Sequence, residues 1–211
     1  MRWPRAADRQ RERDVAPREL SLFPLNTVLF PGGPLPLRIF EPRYLDMVKR
    51  CMRDAAPFGV VLIREGEEVG VGPADFHDVG TLARIADFDT LPDGLLGLTC
   101  VGEQRFRVHA HSRLPDGLNV GQVDLFDPDV PTPLPDEYSY LSDLLERLLP
   151  ELGDWYASLE RHADDAHWVG YRLAEILPLT MPSRQFCLEL EDPHERLRLL
   201  SGVLGTETQA P

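Results

Sequence analysis

The sequence predicts an α+β fold, ordered as a β-rich first half with one helix and then a helical second half. Three observations carry this. From Leu20 to Phe126 the apolar runs are short and end in Gly, Pro or Asp, as strands do. Residues 127–135, DPDVPTPLP, hold four prolines, which neither a helix interior nor a central strand accommodates. Beyond them the apolar residues recur every three or four positions instead of alternating.

Taken in order, residues 1–19 read as a disordered lead-in, because Arg2, Arg5, Arg9, Arg11, Arg13 and Arg18 are interleaved with Asp8, Glu12 and Asp14 around Pro4 and Pro17. Leu22 to Tyr44 packs five prolines between short apolar runs. Pro42 suits the first position of a helix, where its missing N–H is no loss, and Tyr44, Leu45, Val48, Cys51 and Met52 then give that helix one apolar face. Phe58 to Ile63 is a continuous apolar run fit for a buried strand. Phe106, Val108 and Ala110 alternate with Arg105, Arg107 and His109, the pattern of a half-exposed strand. Leu91-Pro92-Asp93-Gly94 and Leu114-Pro115-Asp116-Gly117 carry hairpin chemistry, Pro fixing φ and Gly supplying positive φ. The expected division is therefore a β-rich part over 20–126, a proline linker over 127–135, a helical part over 136–205 and a disordered tail over 206–211. In the helical part, Tyr138, Leu141, Leu144, Leu145 and Leu148 form one stripe, and Trp168, Tyr171, Arg172, Ala174 and Glu175 lie in an amphipathic segment. The last helix starts at a capping sequence, Asp192-Pro193 with Glu195 following, and buries Leu197, Leu200 and Leu204.

With 211 residues, 43% of them hydrophobic, the chain can bury a core without covalent staples. Cys51, Cys100 and Cys187 are odd in number, far apart and free of CxxC spacing, so neither a disulfide framework nor a zinc site is indicated, and a reducing cytoplasm is the expected compartment. No apolar run reaches the ~20 residues of a membrane span, and the charged N-terminal stretch has no signal-peptide core. A net charge of −13 repels phosphate backbones, so nucleic acid is not an expected partner.

The chemistry of catalysis is not written here. GxxxxGK[ST] is absent, so no loop is set to wrap amides around a triphosphate, and GxSxG is absent as well. The single lysine, Lys49, lies between Val48 and Arg50 on the outer side of the first helix, with no serine motif to make it a peptidase base. His109 and His111 stand i, i+2 on a strand and so share a face, but two ligands without a third do not make a metal centre. His162 and His167 diverge around a helix, and Asp164 and Asp165 between them suit capping. Glu65-Gly66-Glu67-Glu68 reads as a solvated turn, and Cys100, within Leu98-Thr99-Cys100-Val101, as a small buried hydrophobe. No cofactor is expected.

Leu22 to Tyr44, LFPLNTVLFPGGPLPLRIFEPRY, resembles the start of the substrate-binding domain at the N-terminus of Lon-type ATP-dependent proteases. The likeness continues through Phe58 to Leu62, Val79 to Ile85 and Gly102 to Val108, and covers roughly residues 20–205, less specifically in its second half. The resemblance implies a PUA-like β pseudo-barrel with one helix followed by a C-terminal helical bundle, in a stand-alone bacterial protein that binds polypeptide without catalysis. The partners it implies are unfolded or degron-bearing polypeptides and a proteolytic ATPase, and the roles are those of an adaptor, a holdase or a regulator of proteolysis. The PUA-like topology keeps a nucleic-acid or nucleotide-derivative binder as the alternative. Packing accounts for most of the proline-rich segment, with Phe23, Phe30, Ile39 and Phe40 suited to the core. Yet so many apolar residues beside irregular backbone also predict an exposed groove, for which Phe30, Leu35, Leu37 and Tyr44 are the candidate polypeptide-binding residues.

Overall fold

The computed structural model describes residues 18–66 and 75–207; the greater part of the lead-in, most of the tail and Glu67-Glu68 lie outside the described residues. Strands β1 (Arg18–Leu25) and β2 (Pro34–Ile39) precede helix α1 (Pro42–Asp54), after which come β3 (Phe58–Glu65), β4 (Asp75–Thr90), β5 (Leu96–Arg113) and β6 (Asn119–Leu125). Arg18 and Glu19, expected in the lead-in, are the first residues of β1, where they pair with Val123 and Gln122. The helices that follow are α2 (Ser139–Leu148), α3 (Asp154–Ser158), α4 (Ala166–Ile176), α5 (Met181–Glu189) and α6 (Pro193–Glu207), with short 3-10 turns at Asp136–Tyr138 and Leu149–Leu152.

The sheet runs β2-β5-β4-β3-β1-β6, and β5 also pairs with β6, so β1, β3, β4, β5 and β6 close into a ring. Among the described residues only the β1–β3 ladder is parallel. A parallel pair needs a crossover, and α1 supplies it within the segment from Leu25 to Phe58. Its Pro42 stands in the first turn as the sequence predicts, and Tyr44, Met47, Val48 and Cys51 are buried, whereas Met52 is largely exposed. Both hairpin turns form: Gly94 donates to the Leu91 carbonyl and Gly117 to that of Leu114, each at 2.8 Å and with φ near +85° (82° and 88°). Asp93 and Asp116 accept from the backbone N–H two residues on, which fixes each tip.

The helices pack on the outer side of the ring around α4. Leu141, Leu145, Leu149, Leu197 and Leu200 reach full burial with it, and one apolar cluster also takes in Val28, Phe30, Leu62 and Val79 from the β part. Asp165 caps α4 by accepting from His167 N–H at 3.1 Å, the role expected of the Asp164-Asp165 pair. The amphipathic reading of α4 is corrected: nearly every residue from Ala166 to Ala174 is buried, including Arg172 at 0% exposure. Its charge is met by Glu175 Oε1 at 2.7 Å and by the Pro31 carbonyl at 2.8 Å. The Pro31-Gly32-Gly33 turn is thereby held between α4 and β5, because Gly32 N–H also donates to the Gly102 carbonyl at 2.8 Å and Gly102 N–H to that of Gly33 at 2.9 Å.

Arg105 is corrected in the same sense. The alternation along β5 puts it opposite Phe106, away from the ring interior, but the helices cover that outer face and leave Arg105 buried. Its guanidinium donates to the carbonyls of Leu188 (2.9 Å) and Leu190 (3.1 Å) at the end of α5, where a cation complements the unpaired helical carbonyls. Arg196, also fully buried, adds a bond to Cys187 O at 2.8 Å and lies 4.0 Å over the Tyr171 ring.

In place of an open linker, residues 127–135 form a pinned strap. Asp129 takes an ion pair from Arg105 at 3.1 Å and a hydrogen bond from the Tyr171 hydroxyl at 2.7 Å. Further along, Thr132 N–H donates to the Asp165 carboxylate, Leu134 N–H to Asp164 O, and Ala166 N–H to Thr132 O. Prolines remove donors, and of those that remain Thr132 and Leu134 are bonded to the Asp164-Asp165 pair.

Candidate functional site

Strand β2 lies at the edge of the sheet, paired with β5 alone from Pro34↔Val101 to Ile39↔Leu96. Pro34 and Pro36 cannot donate, and such residues are accommodated where the N–H would face solvent, so the open edge of β2 presents carbonyls with few matching donors. Recognition along this edge therefore depends on side chains. Alternation sends Leu35 and Ile39 into the core and leaves Leu37 half-buried between them.

Two hollows flank this strand and share Pro36, Leu37 and Arg38. The larger, about 700 Å³, lies between β2 and the β4–β5 hairpin and is walled by Phe88, Leu91, Pro92 and Leu98. The smaller, about 310 Å³, lies between β2 and the start of α1 and is walled by Phe23, Leu25, Phe40 and Tyr44. A third, about 330 Å³, opens on the far side of Phe88 toward Met52 and Ile85. Phe88 is 56% exposed, Phe40 49% and Met52 41%, so large apolar side chains stand at the rims of all three. Apolar surface gathered in this way, rather than scattered singly, is the usual mark of an interaction site.

The rim is charged. Asp87, Asp89 and Asp93 line the larger hollow with a single cation, Arg38, whose guanidinium is hydrogen-bonded to Asp93. The backbone N–H of Leu95 is the main influence holding the Asp93 carboxyl below its ordinary range, with Arg38 adding to it. Asp87 and Asp89 each accept from the N–H of the next residue, at 2.8 and 2.7 Å.

The four candidate residues separate. Leu37 lines both hollows beside β2, and Tyr44, although only 4% exposed, contributes to the wall of the smaller one, stacked on Phe23 with ring centroids 3.9 Å apart. Phe30 and Leu35 are not available to a ligand. Phe30 is wholly buried, packed on Tyr171 at 5.8 Å where the turn after β1 passes under α4, and Leu35 points into the core behind β2. Phe40 is the converse correction: expected in the core, it directly follows β2 and is exposed. Phe88 was not singled out by the sequence, although an aromatic residue between two aspartates next to a hairpin turn is the available signal.

Other chemistry does not assemble. His109 pairs with Asp124 at 2.6 Å, while His111 lies against the Phe76 ring, separated by a register shift at Val108/Ala110 that breaks their common face. Among the described residues there is no group of three or more His, Cys, Asp or Glu able to hold a metal ion. Lys49 is exposed and paired with Asp46. The three cysteines are free and buried, and burial pushes the Cys100 thiol up to about 12, the opposite of an activated nucleophile. No helix among the described residues is long and apolar enough to cross a membrane.

Residues 19–205 match the family described as the ATP-dependent protease La (LON) substrate-binding domain. The crystal structure of a Lon N-terminal domain protein from Xanthomonas campestris is 41% identical, superposes with a TM-score of 0.74, and is covered over 98% of its length by 88% of this chain. The N-terminal domain of the Mycobacterium avium complex Lon protease shares the fold at 18% identity and a TM-score of 0.56. Lon protease 2 of Herpetosiphon aurantiacus is 30% identical over 198 residues, 90% of this chain, and Lon protease 2 of Myxococcus xanthus 39% identical over 97 residues. The chain spans 24% and 12% of those two relatives, respectively. With the family matched from β1 to α6 and the fold shared with a solved Lon N-terminal domain, the chain belongs to the LON substrate-binding domain family.

Proposed function

We propose that this domain binds extended or unfolded polypeptide segments in the apolar groove along β2, and that it acts as an adaptor, a holdase or a regulator of proteolysis. The observation that carries the reading is the run of apolar hollows on both sides of Pro36-Leu37-Arg38, rimmed by Phe40 and Phe88. Family membership supplies the substrate-recognition class, and the Lon relatives make a proteolytic ATPase the natural partner. The ring closure through β5 and β6 supports the kinship with PUA-like pseudo-barrels, and the helices gathered around α4 support that of a C-terminal bundle. The reduced, buried cysteines are compatible with the cytoplasm. A nucleic-acid role finds no support at this groove, since its aspartates outnumber its arginine.

Fluorescein-labelled casein tests the reading by fluorescence anisotropy. Phe88→Asp and Leu37→Ser, each checked for an intact fold by circular dichroism, should weaken binding by about fivefold or more, the equivalent of the ~1 kcal/mol of apolar burial each stands to lose. Unchanged affinity in both variants would move the site off this groove. Leu35, being core, is not a usable probe. RNA binding should be weak and vanish as salt rises.

A further inference from the structure

We propose that the groove selects segments in which an aromatic or branched apolar side chain is flanked by arginine or lysine. This rests on the polypeptide reading above and adds charge selectivity to it. The larger hollow sets Asp87, Asp89 and Asp93 against Arg38 alone, and Arg38 is already engaged with Asp93. Two carboxylates therefore border the exposed Phe88 ring without a cation from the groove itself. Asp87 and Phe88 also line the neighbouring hollow, whose one cation, Arg84, is paired with Glu103 at 2.8 Å, so the acidic border belongs to the larger hollow.

A basic side chain matches that arrangement in each of its parts. Its methylenes lie along an apolar wall while its head remains in water, within reach of a carboxylate. A guanidinium can in addition stack on the open face of Phe88. The open edge of β2 favours the same class, because its unpaired carbonyls accept hydrogen bonds from side-chain donors where its prolines cannot donate. An acidic segment meets repulsion at the same positions, and the net charge of −13 extends that bias to the approach. A second copy of this chain is disfavoured as occupant on the same ground.

The test uses three fluorescein-labelled peptides with one Leu-Phe-Leu centre, flanked on both sides by arginine, glutamine or glutamate. At low salt the arginine-flanked peptide should bind about tenfold more tightly than the glutamate-flanked one, since each exposed pair contributes roughly a 1.5- to fivefold factor. The difference should collapse in 1 M NaCl, leaving the common apolar contribution. Asp87→Asn with Asp89→Asn should weaken the arginine-flanked peptide more than the glutamine-flanked one and so narrow the gap between them, and an undiminished gap overturns the assignment to these two carboxylates. Equal affinity for all three overturns the charge selectivity and leaves the polypeptide groove standing. Failure of all three to bind overturns the groove itself. Self-association seen by sedimentation and abolished by Phe88→Asp would give the face to a second copy and overturn the proposal.

Discussion

Arg172→Met should destabilise the domain in a way that grows with pH. The methionine keeps the length of the side chain in a fully buried position, so little cavity opens. What is lost is the bond to the Pro31 carbonyl at 2.8 Å and the counter-charge of Glu175 at 2.7 Å. Removing one partner of a buried ion pair costs ~3–5 kcal/mol when the other must stay charged. Glu175 has an alternative, because burial already pushes its carboxyl up to about 7, with Arg172 opposing that rise. A carboxyl whose pKa is raised on folding loses stability as pH climbs from its unfolded value of about 4.3 through its folded value. Without Arg172 the folded value rises further, and the window extends above 7. The penalty should therefore be roughly 1–3 kcal/mol at pH 6, where Glu175 holds a proton and chiefly the hydrogen bond is missed, and about 1.4 kcal/mol more for each pH unit within the extended window. Urea denaturation followed by circular dichroism at pH 6 and pH 8.5, with wild type alongside, measures the difference free of other titrations. Adding Glu175→Gln should remove the pH dependence of the penalty and recover part of the stability at pH 8.5. A penalty below 1 kcal/mol, or the same at both pH values, would refute the account of a buried carboxyl whose main counter-charge is Arg172, ahead of Tyr156 and Arg184.

Three further outcomes follow from the same contacts. In otherwise wild-type protein, Glu175→Gln should gain stability relative to the parent as pH rises between about 4.5 and 7, by up to roughly 3 kcal/mol, readable as a shift in urea midpoint. Gly33→Ala should lower the melting temperature, because the added methyl would sit 1.9 Å from Glu175 Oε1 and 3.1 Å from the Phe30 carbonyl; a cost of ~1–3 kcal/mol is expected from overpacking of this kind. Asp129→Ala leaves Arg105 buried without its carboxylate and should cost ~2–4 kcal/mol while opening residues 127–135 to thermolysin, with the wild-type strap resistant on the same timescale.

The sequence was informative where chemistry is local. The two Leu-Pro-Asp-Gly turns, the Pro42 helix start and the Asp165 cap each need only residues within a few positions, and each forms as its side chains dictate. The buried arginines needed distant partners. Arg105, Arg172 and Arg196 carry the residue type of a solvent-facing position, and their burial depends on carbonyls and carboxylates brought from Pro31, Asp129, Glu175 and the end of α5, which no periodicity contains. The groove divides along the same line. Leu37 could be read from an edge strand interrupted by prolines, whereas the burial of Phe30 depends on α4 crossing above it, some 140 residues later in the chain. Phe88 lies opposite Leu98 of β5, which also pairs with Leu37 of β2, so its place beside the groove is set by register across three strands rather than by composition.

The position of β1 has a consequence for how this chain is made. It pairs on one side with β3 and on the other with β6, so Arg18 waits for Val123, roughly a hundred residues later, before the ring can close, and separations of that order slow folding. During synthesis the Leu-Ser-Leu-Phe-Pro-Leu segment of β1 leaves the ribosome several seconds before its second neighbour, at a typical rate of ~5–20 residues per second. For that interval β1 is itself an exposed apolar strand, of the kind proposed above as the occupant of the groove.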